Sequence, residues 1–257
     1  MRLDLFILQK FNLKSRSFAE NIIKKGKVTV NSVTVKKPST DVCDSDEVSC
    51  DTSGEFESLG GDKLEKAISK FNISLVGKTC VDIGASNGGF TDCMLRHDAS
   101  CVYAVDVGEC ALSPVLRYDD RVKIRDRLNA RDITANDVDG LKDFLTIDVS
   151  FISLKLVLES CFALLKEDGE AVVLIKPQFE TGKKLGKSGI VVNPEDRTKA
   201  INDVLGFAYA HGIFATAITT VPDNFRNKNI EYLVHFVKRP DGKRIIRAVD
   251  SDFVKNL

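Results

Sequence analysis

The sequence predicts an α/β fold, a mostly parallel sheet with helices on both faces and an antiparallel pair at one edge, preceded by a small basic α+β module. Three observations carry this. From residue 81 onward, short apolar runs that read as strands alternate with helical patterns, which implies parallel strands joined by crossovers. The last two runs, 215–221 and 231–237, have no helix between them and so predict an antiparallel hairpin. The third is charge. The 257 residues carry a formal net charge of +0, but the charges are segregated. Residues 1–40 hold Arg2, Lys10, Lys14, Arg16, Lys24, Lys25, Lys27, Lys36 and Lys37 against Asp4 and Glu20 alone. Residues 41–60 hold Asp41, Asp44, Asp46, Glu47, Asp51, Glu55 and Glu57 and no base. A basic module (residues 1–59, with its acidic linker) joined to a larger domain (60–257) is the expected organisation.

In the basic module, residues 3–11 and 16–25 read as two short helices, the second capped by Ser15 or Ser17 and stopped by Gly26. Residues 27–30 and 33–35 alternate as strands about a turn at Asn31-Ser32, and Pro38 ends the hairpin. Arg2, Arg16, Lys24, Lys25 and Lys27 form its polar face. Bases clustered with so few acids read as a footprint for a phosphate backbone; a merely solvated face is the alternative. Residues 41–60 read as linker, broken at Ser53-Gly54 and Gly60-Gly61.

A helix over 62–72 leads into the central stretch. Residues 81–83 read as a buried strand, Gly84, Gly88 and Gly89 as a turn, 90–96 as a helix, and 101–107 as a second strand holding Asp106. Strand, glycine turn, helix, strand and acid make the first half of a nucleotide-binding unit. A dinucleotide fingerprint requires G-x-G-x-x-G, and Ser86 stands where its second glycine would be. Asp82 adds a carboxylate expected at the mouth of the loop. A carboxylate there repels a pyrophosphate and suits a cationic ligand such as S-adenosylmethionine, so a methyltransferase loop is preferred to a dinucleotide loop.

Further along, 122–124 read as a strand followed by Asn129, and 144–148 as a strand ending in Asp148. Residues 152–165 form an apolar helix, and Asp168-Gly169 turn the chain into a strand at 171–175 that ends at Lys176-Pro177. A Gly/Lys-rich loop at 181–189 precedes a helix over 194–211. The tail, 239–257, is polar, with Phe253 and Val254 as a docking point. Ligands of open α/β sheets bind at the carboxyl ends of the strands, where Asp82, Asp106, Asp148 and Lys176 converge. A structural ion pair between Lys176 and Asp148 and a cleft lysine oriented by carboxylates are compatible readings.

At these residues the chain resembles known families. Arg2-Leu3-Asp4, Arg16-Ser17, the run from Ile23 to Asn31 and Lys36-Lys37-Pro38 are similar to the S4-like RNA-binding domain, which usually has glycine where this chain has Ser32. The motifs Gly84-Ala-Ser-Asn-Gly-Gly-Phe-Thr-Asp92, Ala104-Val-Asp-Val-Gly108, the run from Thr146 to Leu154, the run from Ile175 to Glu180 and Asn229-x-Glu-Tyr232 resemble the TlyA family of ribosomal RNA 2′-O-methyltransferases. The resemblance implies a Rossmann-like class I methyltransferase domain similar to FtsJ, with S-adenosylmethionine as cofactor and cytidine ribose in ribosomal RNA as target. It places a Lys-Asp-Lys-Glu tetrad on Lys63, Asp148, Lys176 and Glu231. It surrounds the cofactor with Asp82, Gly84, Ser86, Gly88, Gly89, Phe90, Asp106, Val107, Asn129 and Asp148, with Asp106 on the ribose. Lys176 is expected to act as a charged group stabilising the attacking oxygen, held by Asp148 and Glu231, while Lys63 positions the nucleotide. Departures fall at Cys110, Ala111, Leu128 and Lys228.

The expected partner is ribosomal RNA within ribosomal subunits, with no obligate protein partner. The seven cysteines form no C-x-x-C pair and read as free thiols of a reducing cytoplasm, with no metal expected. Apolar runs are far below the ~20 residues of a membrane span, and Met1 leads directly into a short helix, so neither insertion nor a signal peptide is expected. A non-enzymatic ribosome-binding factor and a membrane-active cytolysin are the alternative function classes.

Overall fold

The structure is a computed structural model that describes residues 1–182, 189–222 and 229–257. Most of the expected Gly/Lys-rich loop (181–189), and Lys228, lie outside the described residues. The chain divides into two compact units, Met1–Leu59 and Gly60–Leu257.

In the first unit, α1 (Leu3–Lys10) and α2 (Arg16–Lys24) pack over a short sheet. Ser15, rather than Ser17, caps α2 by accepting the Phe18 N–H at 3.2 Å. Gly26, at φ +76°, ends it in a Schellman motif, its N–H on Ile23 O and that of Lys27 on Ile22 O. Strand β1 (Val28–Val30) pairs antiparallel with β2 (Val33–Thr34). Asn31 and Ser32 both take positive φ, so serine occupies a left-handed turn position where glycine is easier. On its other side β1 pairs with β3 (Val48–Cys50), which lies inside the segment expected to be linker. That expectation is corrected: residues 41–57 complete the small unit. Val42 and Val48 enter its core with Leu3, Ile7, Phe18 and Ile22. Glu55 bonds Lys25 and Lys27, and Glu57 pairs with Lys14.

The second unit opens with α3 (Leu59–Phe71), followed by β4 (Thr79–Ile83), α4 (Gly89–Arg96), β5 (Cys101–Val105), α5 (Pro114–Arg117), β6 (Val122–Arg125) and β7 (Lys142–Ile147). Then come α6 (Leu158–Phe162), β8 (Leu165–Ile175), α7 (Pro177–Glu180), α8 (Pro194–Ala210), β9 (Phe214–Thr220), β10 (Tyr232–Val237) and α9 (Ser251–Asn256). The described residues form one seven-stranded sheet in the order β6-β5-β4-β7-β8-β10-β9. Strands β4 to β8 are parallel, and β10 runs antiparallel between β8 and β9, the edge hairpin that the missing crossover predicts. From β4 the chain steps outward to β5 and later returns to the other side as β7. That reversal leaves a crevice at the carboxyl ends of the two strands.

Two elements differ from expectation. The apolar stretch 152–165 is a 3-10 turn (Leu154–Leu156) and the short α6 rather than one helix. Glu180 of α7 bonds Ser153 Oγ at 2.6 Å and the Leu154 N–H at 2.8 Å, which fixes the start of this segment away from helical pairing. Strand β8 begins at Leu165, and the Asp168-Gly169 turn is absorbed as a bulge: Leu165 faces Lys142 and Glu170 already faces Phe144. The polar tail docks on its own domain. Val254 enters the main core, and Asn202 of α8 exchanges two hydrogen bonds with Val249.

Candidate active site

Continuous apolar strands carry polar residues to one edge of the sheet. Gly84, Asp106, Asp148 and Lys176 each stand one residue past the end of β4, β5, β7 and β8. A cleft of about 500 Å³ opens there, lined among others by Gly84, Ser86, Asp106, Val107, Asn129 and Asp148. Gly84 is required by geometry. Its φ is +84°, and a Cβ on it would lie 2.4 Å from the carbonyl oxygen of Asp148. Gly88, at φ +78°, precedes α4, and a Cβ there would meet Leu116 at 2.5 Å.

Asp106 is held by the loop it faces. One oxygen accepts the Ser86 N–H at 3.0 Å and the other the Gly108 N–H at 2.9 Å. Each carboxylate oxygen retains lone-pair capacity for a ribose hydroxyl. Val107 and Leu128 add apolar surface to the cleft, and its charged lining residues are Asp106, Asp148 and Arg131.

Four expected cofactor residues lie elsewhere. Asp82 is fully buried and accepts the hydroxyls of Thr91 at 2.7 Å and Thr146 at 2.9 Å. It therefore lies beneath the loop, not at its mouth, because β4 points its side chain between α4 and β7. Burial pushes its carboxyl up to about 6, partly offset by the two threonine bonds. Phe90 is core beneath the loop. Gly88 and Gly89 shape the start of α4 and are not among the lining residues. Conversely, spacing did not single out Ser150 and Phe151, which line the cleft. Phe151 is 91% exposed, takes φ +65° and lies 5.3 Å from the Phe179 ring. A left-handed bulky residue is a strained backbone position of the kind held at functional sites.

Lys63, Asp148, Lys176 and Glu231 meet as one alternating chain of charge. The Lys176 Nζ is 2.5 Å from Asp148 Oδ1 and donates to Ser150 Oγ at 2.9 Å. The other Asp148 oxygen is 3.7 Å from Lys63 Nζ, and Lys63 Nζ is 2.7 Å from Glu231 Oε2. Glu231 thus holds Lys63 rather than Lys176, which corrects the expected pairing: Glu231 stands just before β10, beyond β8, on the side that α3 covers. Burial would lower the Lys63 pKa, but the carboxylates of Asp148 and Glu231 outweigh it and raise the value, keeping Lys63 a cation. Two ammonium groups balanced by two carboxylates at a cleft mouth can orient a hydroxyl and stabilise negative charge developing on it.

The structure gives each expected RNA-binding base a carboxylate neighbour. Arg2 and Arg16 both reach the buried Asp4, at 3.0 and 2.8 Å. Lys25 and Lys27 reach Glu55 at 2.6 and 2.9 Å, and Lys24 reaches Glu20 at 3.9 Å. Asp4, pulled down to about 2 by its hydrogen bond from Arg2 and by Arg16, thereby fixes two arginines on one face.

Comparison with known proteins agrees with this architecture. The model of FtsJ-like methyltransferases matches residues 56–238, and that of the S4 domain matches residues 1–48. The chain is 35% identical over 236 residues to the 16S/23S rRNA (cytidine-2′-O)-methyltransferase TlyA of Mycobacterium tuberculosis, covering 91% of this chain and 88% of that protein. It is 39% identical over 239 residues to a Brachyspira hyodysenteriae protein named Hemolysin A, covering 92% and 100%. A solved structure of a hemolysin-named protein from Streptococcus thermophilus superposes with a TM-score of 0.76 at 35% identity, covering 100% of this chain and 94% of that one. Among the described residues, no helix is long and apolar enough to cross a membrane.

Proposed function

The chain belongs to the TlyA family of FtsJ-like methyltransferases, and from that premise we propose that it methylates the ribose 2′-hydroxyl of a cytidine in ribosomal RNA, acting on ribosomal subunits in the cytoplasm. The observation that carries the reading is the tetrad: Lys63, Asp148, Lys176 and Glu231 lie in one chain of ion pairs beside a cleft that fits S-adenosylmethionine. The fit rests on Gly84, whose missing Cβ lets the loop after β4 pass directly against the Asp148 backbone, and on Asp106, whose carboxylate is oriented by two backbone N–H groups. Gly84 and Ser86 would hold the methionine half, Asp106 the ribose, and Val107, Leu128 and Asn129 the base. S-adenosylmethionine supplies, when bound, an already activated methyl group on sulfonium.

The protein's work is then alignment and charge stabilisation. Holding two reactants in a near-attack geometry is worth up to ~7–11 kcal/mol. A ribose hydroxyl is a poor nucleophile, so the charge that develops on its oxygen needs a fixed donor. Lys176, oriented by Asp148 and Ser150, is that donor. Lys63, pinned between Glu231 and Asp148, positions the nucleotide. Phe151 presents an exposed ring at the same mouth on which a base can stack, an interaction worth ~1–3 kcal/mol. The small unit supplies basic side chains for the RNA backbone.

The test is transfer of labelled methyl from S-adenosylmethionine to unmethylated ribosomal subunits, with the label mapped by nuclease digestion. Label on a cytidine ribose is expected. Label on a base, or none on either subunit while the cofactor binds, contradicts the reading.

A further inference from the structure

Away from the cleft, Glu65, Cys93 and His97 bring three metal-ligating side chains together. Cys93 lies on α4 and His97, four residues on, caps its C-terminal end, so one helical turn brings the two side chains together. Glu65 reaches them from α3. His97 Nε2 is 2.8 Å from Glu65 Oε2, Cys93 Sγ is 3.9 Å from the same oxygen, and all three atoms lie within 4.8 Å of one another. With zinc bonds of ~2.0–2.3 Å, ligand atoms of a tetrahedral site stand roughly 3.2–3.7 Å apart. Side-chain movement of a few tenths of an ångström at the Glu65 contacts, and of no more than about an ångström between Cys93 and His97, closes the difference.

We propose that Glu65, Cys93 and His97 bind one divalent ion of the zinc class, with water as the fourth ligand, and that this ion fastens α3 to α4. Sulfur, imidazole and carboxylate ligands together favour Zn²⁺ or Co²⁺ over Mg²⁺ and Ca²⁺, which take oxygen shells. Glu65 and His97 are partly exposed and Cys93 is buried, so the ion enters from solvent and seats against the sulfur. On binding, the thiol proton leaves to solvent as the sulfur–metal bond forms, so affinity rises with pH. The consequence reaches the tetrad, because Lys63 precedes Glu65 by two residues on α3 and α4 starts where the glycine loop ends. Fastening the two helices fixes the Lys63 backbone against that loop.

The test is a Co²⁺ titration of chelator-stripped full-length protein. One equivalent is expected to give four-coordinate visible bands and a near-ultraviolet thiolate charge-transfer band, displaced by one equivalent of Zn²⁺. Cys93→Ser abolishes the charge-transfer band, and His97→Ala weakens binding at least tenfold. Cys43→Ser, at the exposed cysteine, changes neither. Glu65→Gln, at a partly exposed position, keeps the question decidable if a buried substitution fails to fold, and it too weakens binding at least tenfold. Zn²⁺ raises the Tm of the wild type and not of His97→Ala. Absence of a saturable band, a band unaltered by Cys93→Ser, or one lost only in Cys43→Ser overturns the proposal.

Discussion

Replacing Gly84 with alanine puts a Cβ 2.4 Å from the carbonyl oxygen of Asp148 and 3.0 Å from its carbonyl carbon. Both contacts are backbone, so no side chain can swing aside. Opening the first to a tolerable distance moves the Asp148 backbone by at least about 0.6 Å, and a 1 Å misplacement near reacting groups can cost ~10²-fold in rate. The left-handed backbone (φ +84°) adds ~1–2 kcal/mol for any L side chain. Gly84→Ala is therefore expected to lose about 2–3 kcal/mol of stability, a Tm drop of roughly 4–12 °C for a domain of this size, and ~10–100-fold in kcat/KM. Gly77→Ala is the control, since Gly77 also has positive φ (+70°) but nothing within 4 Å of a Cβ. It carries the backbone cost alone. The assays are thermal unfolding, cofactor binding by calorimetry and methyl transfer. A Gly84→Ala protein that matches Gly77→Ala in Tm, cofactor affinity and rate refutes the close-approach argument.

Asp82 predicts a pH signature. Its carboxyl rises from 3.8 to about 6 in the folded protein, so between those values the native state keeps a proton that the unfolded chain has released. Stability then falls as pH rises through that window, by up to ~3 kcal/mol, and is flat above it. Asp82→Asn removes this loss, so urea melts should show the variant gaining on the wild type from about pH 4 to 6; a pH-independent difference contradicts the assignment. In the small unit, Lys24→Ala should weaken RNA binding uniformly across sequences and reduce the salt slope by ~0.9. An unchanged slope removes Lys24 from the footprint.

Where local chemistry decides, the fold is legible in the residues. The apolar run ending at Gly84, the Ser15 cap, the Gly26 stop and the missing crossover before β10 each act through their immediate neighbours. The misread pieces are settled by distant ones. Strand β3 hides in an acidic run because its partner, β1, lies 20 residues back: Ser49 pairs with Thr29. The acids beside it have the composition of a linker, but Glu55 pairs with Lys25 and Lys27, and Glu57 with Lys14. Glu180 similarly pins Ser153 and Leu154 from 27 and 26 residues away and shortens a helix that hydrophobic pattern alone extends. At the site, strand-end positions were readable, but side-chain direction was not. Asp82 and Asp106 both follow apolar strand residues, yet one turns inward to two threonines and the other outward to the loop. Cys93 and His97 show the same limit, since their helical spacing carries no metal signature until Glu65 arrives from another helix.

The central claim is that Lys176 stabilises the attacking oxygen and does not hold the cofactor. It is tested most directly by single-turnover methyl transfer to unmethylated ribosomal subunits with wild type and Lys176→Ala, alongside calorimetric affinity for S-adenosylmethionine. The expected result is a rate lower by ~10²–10³-fold, the scale of losing one preorganised donor, with cofactor affinity within twofold. A Lys176→Ala enzyme that transfers methyl at the wild-type rate, or one whose loss is explained by weakened cofactor binding, contradicts it.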